Sequence, residues 1–252
     1  MAETTRAPTT HAPGLHGQTV VVIGGSSGIG LETARLARTE GAQLILTGRN
    51  PERLSRAAEE IAALRTSAFD ATDFARLEQF FAELPDSIDH IMVSGSGPYY
   101  APLQDIDLAE VRLDFERHLL LPIQVARHAV GRVRPGGSIV LIGGTGARQR
   151  AVGLSTISVL TAGLPALTQN LALEIAPIRV NLIAAGFVDT PLSASLLGEQ
   201  LDMRREQLRS TLPIGRVVGP DDVAALAVHV MTNTALTGGT YDVDGGQQIV
   251  AG

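Results

Sequence analysis

The amino-acid sequence predicts a single α/β domain, in which a central parallel sheet of about seven strands carries helices on both faces. At 252 residues the chain matches the size of one undivided α/β domain. Hydrophobic residues make up 44% of it, which is enough to bury a substantial core. Short apolar runs also alternate with amphipathic stretches, and this alternation is typical of parallel strands joined by crossover helices.

The predicted strands are the short apolar runs, which in chain order are Thr19–Ile23, Gln43–Thr47, Ser67–Phe69, Ile88–Val93, Ser138–Ile142, Arg179–Ala184 and Gly239–Val243. The stretches between them are predicted as helices, which cover Gly28–Glu40, Pro51–Leu64, Asp73–Leu84, Ala109–Arg134, Leu154–Ala176 and Pro220–Met231. Proline begins the second helix, where no hydrogen-bonded N–H is needed. The longest interruption, Pro191–Leu212, is polar at its middle and is predicted to form a helical lid over a site.

The first residues, Met1–Gly17, are predicted as a mobile tail, which leaves residues 18–252 for the folded domain. They are rich in Thr, Pro, Ala and His and have no periodicity. They also lack a charged segment followed by an apolar one, so a cytoplasmic location is the default expectation. Apolar runs such as Ser138–Ile142 are far too short to cross a bilayer, which argues against a membrane protein.

Charge and residue usage exclude several classes of function. The formal net charge is −6 and there is no long basic run, so nothing favours a nucleic acid as partner. Cysteine is absent, which excludes disulfides and thiolate metal sites, and no metal site is expected. Lysine is absent as well, so all 20 of the Lys and Arg side chains are arginine.

A glycine-rich loop, Gly24–Gly30, follows the first predicted strand directly and leads into the first predicted helix. Glycines there let the backbone turn sharply and approach a pyrophosphate, whose charge is met by N–H groups at the helix N-terminus. A tight turn alone also needs glycine, but the position between a strand and a helix favours phosphate binding. The loop therefore predicts a dinucleotide site in a Rossmann-type domain.

The end of the second predicted strand indicates which dinucleotide the site prefers. A site for NAD would place Asp or Glu there, whereas this chain has Thr47-Gly48-Arg49-Asn50. The Arg49 guanidinium can donate paired hydrogen bonds to a 2′-phosphate, and Ser26, Ser27 and Asn50 could add neutral donors. The alternative is that Arg49 only solvates the end of the strand. NADP(H) is the predicted cofactor.

These motifs resemble those of the short-chain dehydrogenase/reductase family, and the resemblance runs from about Gly17 to the C-terminus. The glycine-rich loop resembles the family's Thr-Gly-x-x-x-Gly-x-Gly, with Ile23 in place of the threonine. Asp70 matches the aspartate that the family places beside the adenine. Ser94-Gly95-Ser96-Gly97 lies where the family carries Asn-Asn-Ala-Gly, and Tyr241–Gly246 resembles its final strand.

The segment Gly186–Pro191 resembles the one that holds the nicotinamide in this family, with Ala185 in place of the usual proline. The resemblance implies that Thr190 binds the carboxamide. Combined with the glycine-rich loop, it implies that the cofactor contacts Gly24, Ser26, Ser27, Gly28, Ile29, Gly30, Arg49, Asn50, Asp70, Ala71, Ser94, Gly95, Ser96, Gly186, Val188 and Thr190.

The catalytic half of the family pattern is changed. The family uses Asn, Ser, Tyr and Lys; tyrosine moves the proton, and the lysine ammonium favours its phenolate. With Leu171–Glu174 aligned to the end of the family's catalytic helix, those four positions hold His118, Gly144, Ile157 and Thr161. A slip of one residue would place Thr145, Ser158 and Ala162 at the last three positions, which restores none of them.

Three functions remain open. The first is an oxidoreductase that transfers a hydride to carbonyl groups or from alcohol groups with replacement catalytic residues. The second is a non-catalytic NADP(H)-binding sensor or inactive partner subunit, because an apolar pocket cannot move protons. The third is a non-redox enzyme that performs elimination or isomerisation in the same pocket. The oxidoreductase is preferred because the segment around Thr190 is retained and dinucleotide sites most often serve hydride transfer.

Candidate replacement groups surround the predicted site. His118 could protonate a carbonyl oxygen, since imidazole titrates in the physiological range. Tyr99 and Tyr100 follow the fourth strand, at the edge where open α/β sheets bind ligands. Arg148 and Arg150 follow the fifth strand and could stabilise an oxyanion or bind an acidic substrate. Each could equally be an ordinary packing or surface residue. The substrate is expected to be a small molecule, and the resemblance implies a homodimer or homotetramer.

Overall fold

The computed structural model describes residues 14–95, 97–148 and 150–250. Its core is a seven-stranded parallel sheet with the strand order β3-β2-β1-β4-β5-β6-β7. The strands are β1 Thr19–Ile23, β2 Gln43–Gly48, β3 Arg65–Ala68, β4 Ile88–Val93, β5 Val133–Gly144, β6 Arg179–Ala185 and β7 Thr240–Val243. The order reverses between β1 and β4, and such a switch point leaves a crevice at the carboxyl ends of the strands. This confirms the predicted Rossmann-type domain.

The helices are α1 Gly28–Thr39, α2 Pro51–Ile61, α3 Phe74–Ala82, α4 Leu108–Phe115, α5 Leu121–Ala129, α6 Ser155–Glu174, α7 Pro191–Leu197, α8 Leu201–Thr211 and α9 Pro220–Thr232. Six of these helices form two layers. Buried residues of α3, α5 and α6 pack on one face of the sheet, and those of α1, α2 and α9 on the other. Neighbouring side chains along a strand enter opposite cores: Val21 belongs to the first and Val20 to the second.

The predicted helix Ala109–Arg134 is wrong in its continuity and its end. It consists of α4, a π-helical turn at Glu116–Leu120, and α5. Gly131 then takes a left-handed backbone conformation, with φ of +80°, so the helix cannot continue through it. The chain enters β5 at Val133, which pairs with Ile88, and this makes β5 longer than predicted.

The predicted tail is too long at its inner end, because residues 14–17 pack against the domain. Leu15 is completely buried in the second core, and its N–H donates a hydrogen bond of 3.2 Å to the Glu40 carbonyl oxygen. The Gly17 N–H likewise donates to Gly41. One buried leucine in a polar stretch has no periodicity, which is why the sequence pattern missed it. The remainder of the predicted tail, residues 1–13, lies outside the described residues.

The predicted lid region, Pro191–Leu212, is helical and consists mainly of α7 and α8. Its action as a lid stays a prediction. Among the described helices, none combines the length and apolar character that crossing a membrane requires. The predicted cytoplasmic location is untested.

Candidate cofactor and active site

A cavity of about 880 Å³ opens at the carboxyl edge of the sheet. Its walls include the ends of five strands or the residues just after them: Ile23, Gly48, Ser94, Gly144 and Ala185. The cavity therefore lies at the switch point of the sheet, where a doubly wound fold binds its ligand.

The glycine-rich loop forms one wall of this cavity. Gly24 has φ of +87°, and a Cβ added to it would lie 2.3 Å from the Ser94 carbonyl oxygen. Gly28 has φ of +54° and faces Thr190 across the cavity, since an added Cβ would lie 3.6 Å from the Thr190 side chain. Ser27 precedes α1 and makes no side-chain capping bond, so the first N–H groups of α1 remain for an anion. This wall fits a pyrophosphate.

Gly24, Ser26, Ser27, Gly28 and Ile29 line the cavity as predicted for cofactor contacts. Gly30 is different, because it is not among the lining residues that the structure describes. A Cβ on Gly30 would lie 2.3 Å from the Gly24 carbonyl oxygen. Gly30 therefore allows close packing of α1 against the loop, and its predicted cofactor contact stays a prediction.

The adenosine end of the cavity is formed by the segments after β2 and β3. Arg49, Asn50, Asp70 and Ala71 all line it. Asn50 also caps α2, because its side-chain oxygen accepts the Arg53 N–H at 2.8 Å. Its amide nitrogen is the group that could serve a ligand.

Asp70 is held in place by Thr72, whose N–H and hydroxyl donate to the same carboxylate oxygen at 3.0 and 2.8 Å. Partial burial raises the pKa of Asp70, but these hydrogen bonds and the charges of Arg49 and Arg117 outweigh it and lower the pKa below its ordinary value. In the described part of the chain, no carboxylate forms a salt bridge with Arg49. Its guanidinium is thus available to a phosphate.

The segments after β4 and β6 form the nicotinamide end. Ser94 and Gly95 line the cavity, and the Ser94 N–H donates to Ile23 at 2.9 Å. Ser96, also predicted as a cofactor contact, lies outside the described residues. Gly186, Val188 and Thr190 line the opposite wall.

Thr190 begins α7 with a reciprocal cap, in which its side-chain oxygen accepts the Ser193 N–H at 3.3 Å. The Thr190 hydroxyl proton therefore remains for a ligand such as a carboxamide.

The four positions aligned with the family's catalytic residues meet in this cavity, since His118, Gly144, Ile157 and Thr161 all line it. Ile157 is buried and apolar. The Thr161 hydroxyl donates to the Ile157 carbonyl oxygen at 2.8 Å, so its proton is already engaged within α6. Gly144 offers no side chain. His118 is therefore the one side chain of the four that can exchange a proton with a ligand.

His118 lies in the π-helical turn, with only 11% of its side chain exposed. Its Nδ1 is 2.9 Å from the Asp114 carbonyl oxygen and 3.3 Å from the Asp114 side-chain Oδ1. Its Nε2 lies beside Gly95, 3.9 Å from where a Cβ on that residue would be. A π-helical turn inside a helix is frequent at functional sites.

The two predicted tyrosines differ. Tyr100 lines the cavity, and partial burial raises the pKa of its phenol, with a further rise from the charge of Asp114. Tyr99 is not among the lining residues that the structure describes. Its hydroxyl accepts the Asp107 N–H at 3.0 Å and donates to the Asp105 carbonyl oxygen at 3.4 Å. Tyr99 therefore helps to close the loop before α4, and its predicted catalytic role stays a prediction.

Arg148 pairs with an acidic side chain of β7, and its predicted role toward a substrate stays a prediction. Its guanidinium forms an ion pair with Asp242 of β7, with Nη2 2.8 Å from Oδ1, and this pair raises the pKa of Arg148. Neither Arg148 nor Arg150 belongs to the described lining of the cavity. A partner 94 residues away in the chain cannot be read from the local sequence.

Several lining residues were missed by the sequence analysis. Arg117 precedes His118 and acts electrostatically on Asp70. Leu192 and Leu196 of α7 line the cavity, as does Arg204 of α8, whose guanidinium lies 5.9 Å from the centre of the Phe187 ring. The two leucines are four residues apart, which places them on the same face of a helix, and this spacing was the available signal in the sequence. Within the described ranges, no cluster of three His, Asp or Glu side chains could hold a metal ion.

The fold and cavity define a dinucleotide-binding α/β protein. A family model described as enoyl-(acyl carrier protein) reductase matches residues 23–248. Short-chain dehydrogenase/reductase malC from Malbranchea aurantiaca is 28% identical, over 92% of this chain and 95% of that protein. Cis-4-hydroxycyclohexanecarboxylate dehydrogenase from Sinomonas cyclohexanicum is 30% identical, over 91% of this chain and 96% of that protein.

Solved structures of short-chain dehydrogenases are also similar to this chain. MalC reductase/Diels-Alderase from M. aurantiaca superposes with a TM-score of 0.87 at 26% identity, over 94% of this chain and 99% of that one. A small-chain dehydrogenase in complex with NADPH superposes with a TM-score of 0.79 at 25% identity, over 92% of this chain and 99% of that one. The chain belongs to the short-chain dehydrogenase/reductase family of oxidoreductases, which use nicotinamide cofactors.

Proposed function

We propose that this protein is an NADP(H)-dependent oxidoreductase that interconverts an apolar carbonyl compound and its alcohol, with His118 as the proton donor and acceptor. The observation that supports this best is the position of the His118 ring beside Gly95, in the wall of a cavity that is also lined by apolar Ile157. When bound, the cofactor supplies or accepts a hydride. The remaining requirement is one proton at the substrate oxygen, which His118 Nε2 gives in reduction and takes back in oxidation.

The preference for NADP(H) rests on the adenosine end of the cavity. Arg49 lines it next to Asn50, and Ser26 lines it on the facing loop. A guanidinium can bind a 2′-phosphate through two parallel hydrogen bonds, which makes Arg49 the main determinant. The NADPH-bound small-chain dehydrogenase among the similar structures supports the same choice.

The apolar character of the substrate follows from the lid helix. Leu192 and Leu196 lie four residues apart on α7, line the cavity, and are 42% and 50% exposed. Phe187, Leu154 and Ile157 add apolar surface to the same space. A bound apolar ligand would remove this surface from water, at a gain of about 25 cal/mol per Å².

The test has two stages. NADPH fluorescence on binding measures cofactor affinity, and NADPH oxidation is then followed with a panel of apolar aldehydes and ketones. We expect binding and turnover in the wild-type protein. His118→Gln should keep NADPH affinity but lose roughly 10²- to 10⁴-fold in kcat, the usual contribution of a general acid. His229→Gln, which changes an exposed histidine far along the chain, is the control. Turnover that survives in His118→Gln would remove His118 from the mechanism.

A non-redox reaction is the second candidate. Two observations favour it: apolar or small residues occupy three of the four aligned catalytic positions, and a similar structure is named a reductase/Diels-Alderase. Product formation without net NADPH consumption would support this function. NADPH binding with no product from any tested compound would instead support a sensor or inactive partner subunit.

We also propose assembly into a homodimer or homotetramer through α6. Val159 and Leu173 on this helix are 59% and 79% exposed. Multi-angle light scattering should give a dimer or tetramer, and Leu173→Asp should shift it toward the monomer.

A further inference from the structure

We infer that Asp114 is a positioning residue that keeps His118 doubly protonated, so that its Nε2 carries a proton toward the cavity. This inference rests on the proposed function of His118.

Nδ1 of His118 carries a proton that is directed at Asp114. Two oxygen atoms of Asp114 lie near this nitrogen: the main-chain oxygen at 2.9 Å and Oδ1 at 3.3 Å. An acceptor pair of this kind places a proton on Nδ1. A neutral imidazole holds one N–H only, so its Nε2 would then be bare and unable to donate. Donation from Nε2 therefore requires the imidazolium form.

The positive charge of a doubly protonated His118 needs a negative charge beside it. An imidazolium with 11% of its side chain exposed is costly without a compensating negative charge. The Asp114 side chain is only 1% exposed, and its Oδ1 lies 3.3 Å from Nδ1 of the ring. Removing this carboxylate would leave the positive charge uncompensated and favour the neutral ring.

The two carboxylate oxygens of Asp114 have different surroundings. Oδ2 of Asp114 accepts the Tyr99 N–H at 3.0 Å, which fixes the carboxylate against the loop after β4. Oδ1 is buried and makes no hydrogen bond with any described group. A buried carboxylate oxygen left in this state calls for a partner that gains a charge or a proton during function. His118, one helical turn away, is that partner.

The described elements around the ring carry other charged or titratable groups, which include Glu116 of the same turn. The phenol of Tyr100 lies close enough to Asp114 to be affected by its charge. Arg117 is the next residue along the π-helical turn and acts on Asp70 at the adenosine end. Helix α6 packs against the turn and has no charged side chain before Glu174. Of these groups, the Asp114 carboxylate is the one that forms an ion pair with the ring when the ring is charged.

During reduction, the hydride adds to the carbonyl carbon, the C=O π bond breaks, and its electron pair moves to the oxygen. That oxygen takes the Nε2 proton, which leaves a neutral ring with its Nδ1 proton still directed at Asp114. Water then restores the proton on Nε2.

The experiment compares Asp114→Asn with Asp107→Asn in the complete protein with NADPH. Asp107 makes the same chemical change at the exposed start of α4, where its Oδ1 caps the helix and asparagine caps equally well. We expect Asp114→Asn to keep NADPH affinity and to lose about 10- to 100-fold in kcat, part of the general-acid contribution. Its activity should also decline at lower pH than that of the wild type, because the neutral ring forms earlier. Asp107→Asn should change neither quantity.

Failure of this inference and failure of the proposed function are distinguishable. If His118→Gln is inactive but Asp114→Asn has the wild-type rate and pH profile, only the role of Asp114 is overturned. If His118→Gln is active, the proposed function fails first.

A second measurement applies even if Asp114→Asn does not fold. Nitrogen-15 NMR of the wild type, with His118 assigned by its loss in His118→Gln, reports the proton count of the ring. Two protonated nitrogens at neutral pH are expected, and a neutral ring overturns the inference.

Discussion

The guanidinium of Arg205 makes two hydrogen bonds with the carboxylate of Asp189, at 2.9 and 2.8 Å. Arg205 belongs to α8 and Asp189 immediately precedes Thr190, so this pair joins the predicted lid to the nicotinamide segment. A bidentate arginine–carboxylate contact also fixes geometry, even where the side chains are partly exposed.

Loss of this pair should loosen the lid. We expect Arg205→Gln to raise KM for the carbonyl substrate several-fold with little change in thermal stability, because a solvent-accessible pair contributes little to folding. Steady-state kinetics and a melting curve measure the two effects. Arg209→Gln is the matched control, since Arg209 pairs with Glu206 on the same helix and does not line the cavity. Equal KM values for the two variants would contradict the prediction.

Arg49 should determine the choice between the two nicotinamide dinucleotides. We expect Arg49→Gln to weaken NADPH binding by about 10- to 100-fold, the size of a hydrogen bond to a charged group, and to leave NADH binding unchanged. Calorimetric titration with both cofactors measures this. Arg56→Gln, on the exposed side of α2, is the control. A proportional loss for NADPH and NADH would show that Arg49 does not contact the 2′-phosphate.

Gly24 should tolerate no side chain. In Gly24→Ala the new Cβ would meet the Ser94 carbonyl oxygen at 2.3 Å on a backbone with φ of +87°. We expect a loss of about 1–3 kcal/mol in unfolding free energy and weak NADPH binding. Gly136→Ala is the control, since Gly136 has φ of +82° with open space around it. The control carries the backbone strain alone, so similar losses in both variants would exclude the clash as the cause.

His90 should make stability depend on pH. Burial lowers the pKa of His90 to about 4, despite the opposing charge of Asp89, and the ring bonds Ser138 and Gln18 at 2.8 and 2.7 Å. Because the folded pKa lies below the ordinary 6.5, the unfolded chain binds the proton more readily. This contribution is complete above about pH 6.5 and is lost as pH falls toward 4, at most about 3 kcal/mol.

Urea unfolding across this pH range is the measurement. The wild type should lose stability on acidification, and His90→Gln should be less stable at neutral pH but show a shallower decline. Parallel curves for the two proteins would place the pH dependence elsewhere.

Local patterns in the sequence were sufficient for much of the fold and the cofactor site. The strand and helix alternation, the loop Gly24–Gly30 and the position of Arg49 each depend on residues that are close together in the chain. Parallel strands bring their carboxyl ends to one edge, so residues after different strands were expected to meet there. The structure brings Ser94, Gly144 and Thr190 to one cavity accordingly.

The contacts of polar side chains could not be predicted from local sequence patterns. Tyr99 and Tyr100 are adjacent and chemically alike, yet one closes a loop and the other faces the cavity. Their side chains therefore point in different directions. The sequence could not distinguish them.

The sequence by itself determined that this chain has no lysine, and the family resemblance predicts Ile157 and Gly144 at two of the catalytic positions. Only the tertiary structure decided where a replacement could act. In it, Arg148 forms an ion pair with Asp242, Leu15 is buried, and the Asp114 carboxylate lies against the His118 ring at the cavity wall. The physical reason is that backbone periodicity is local, whereas the partner of a polar side chain is set by packing between distant segments.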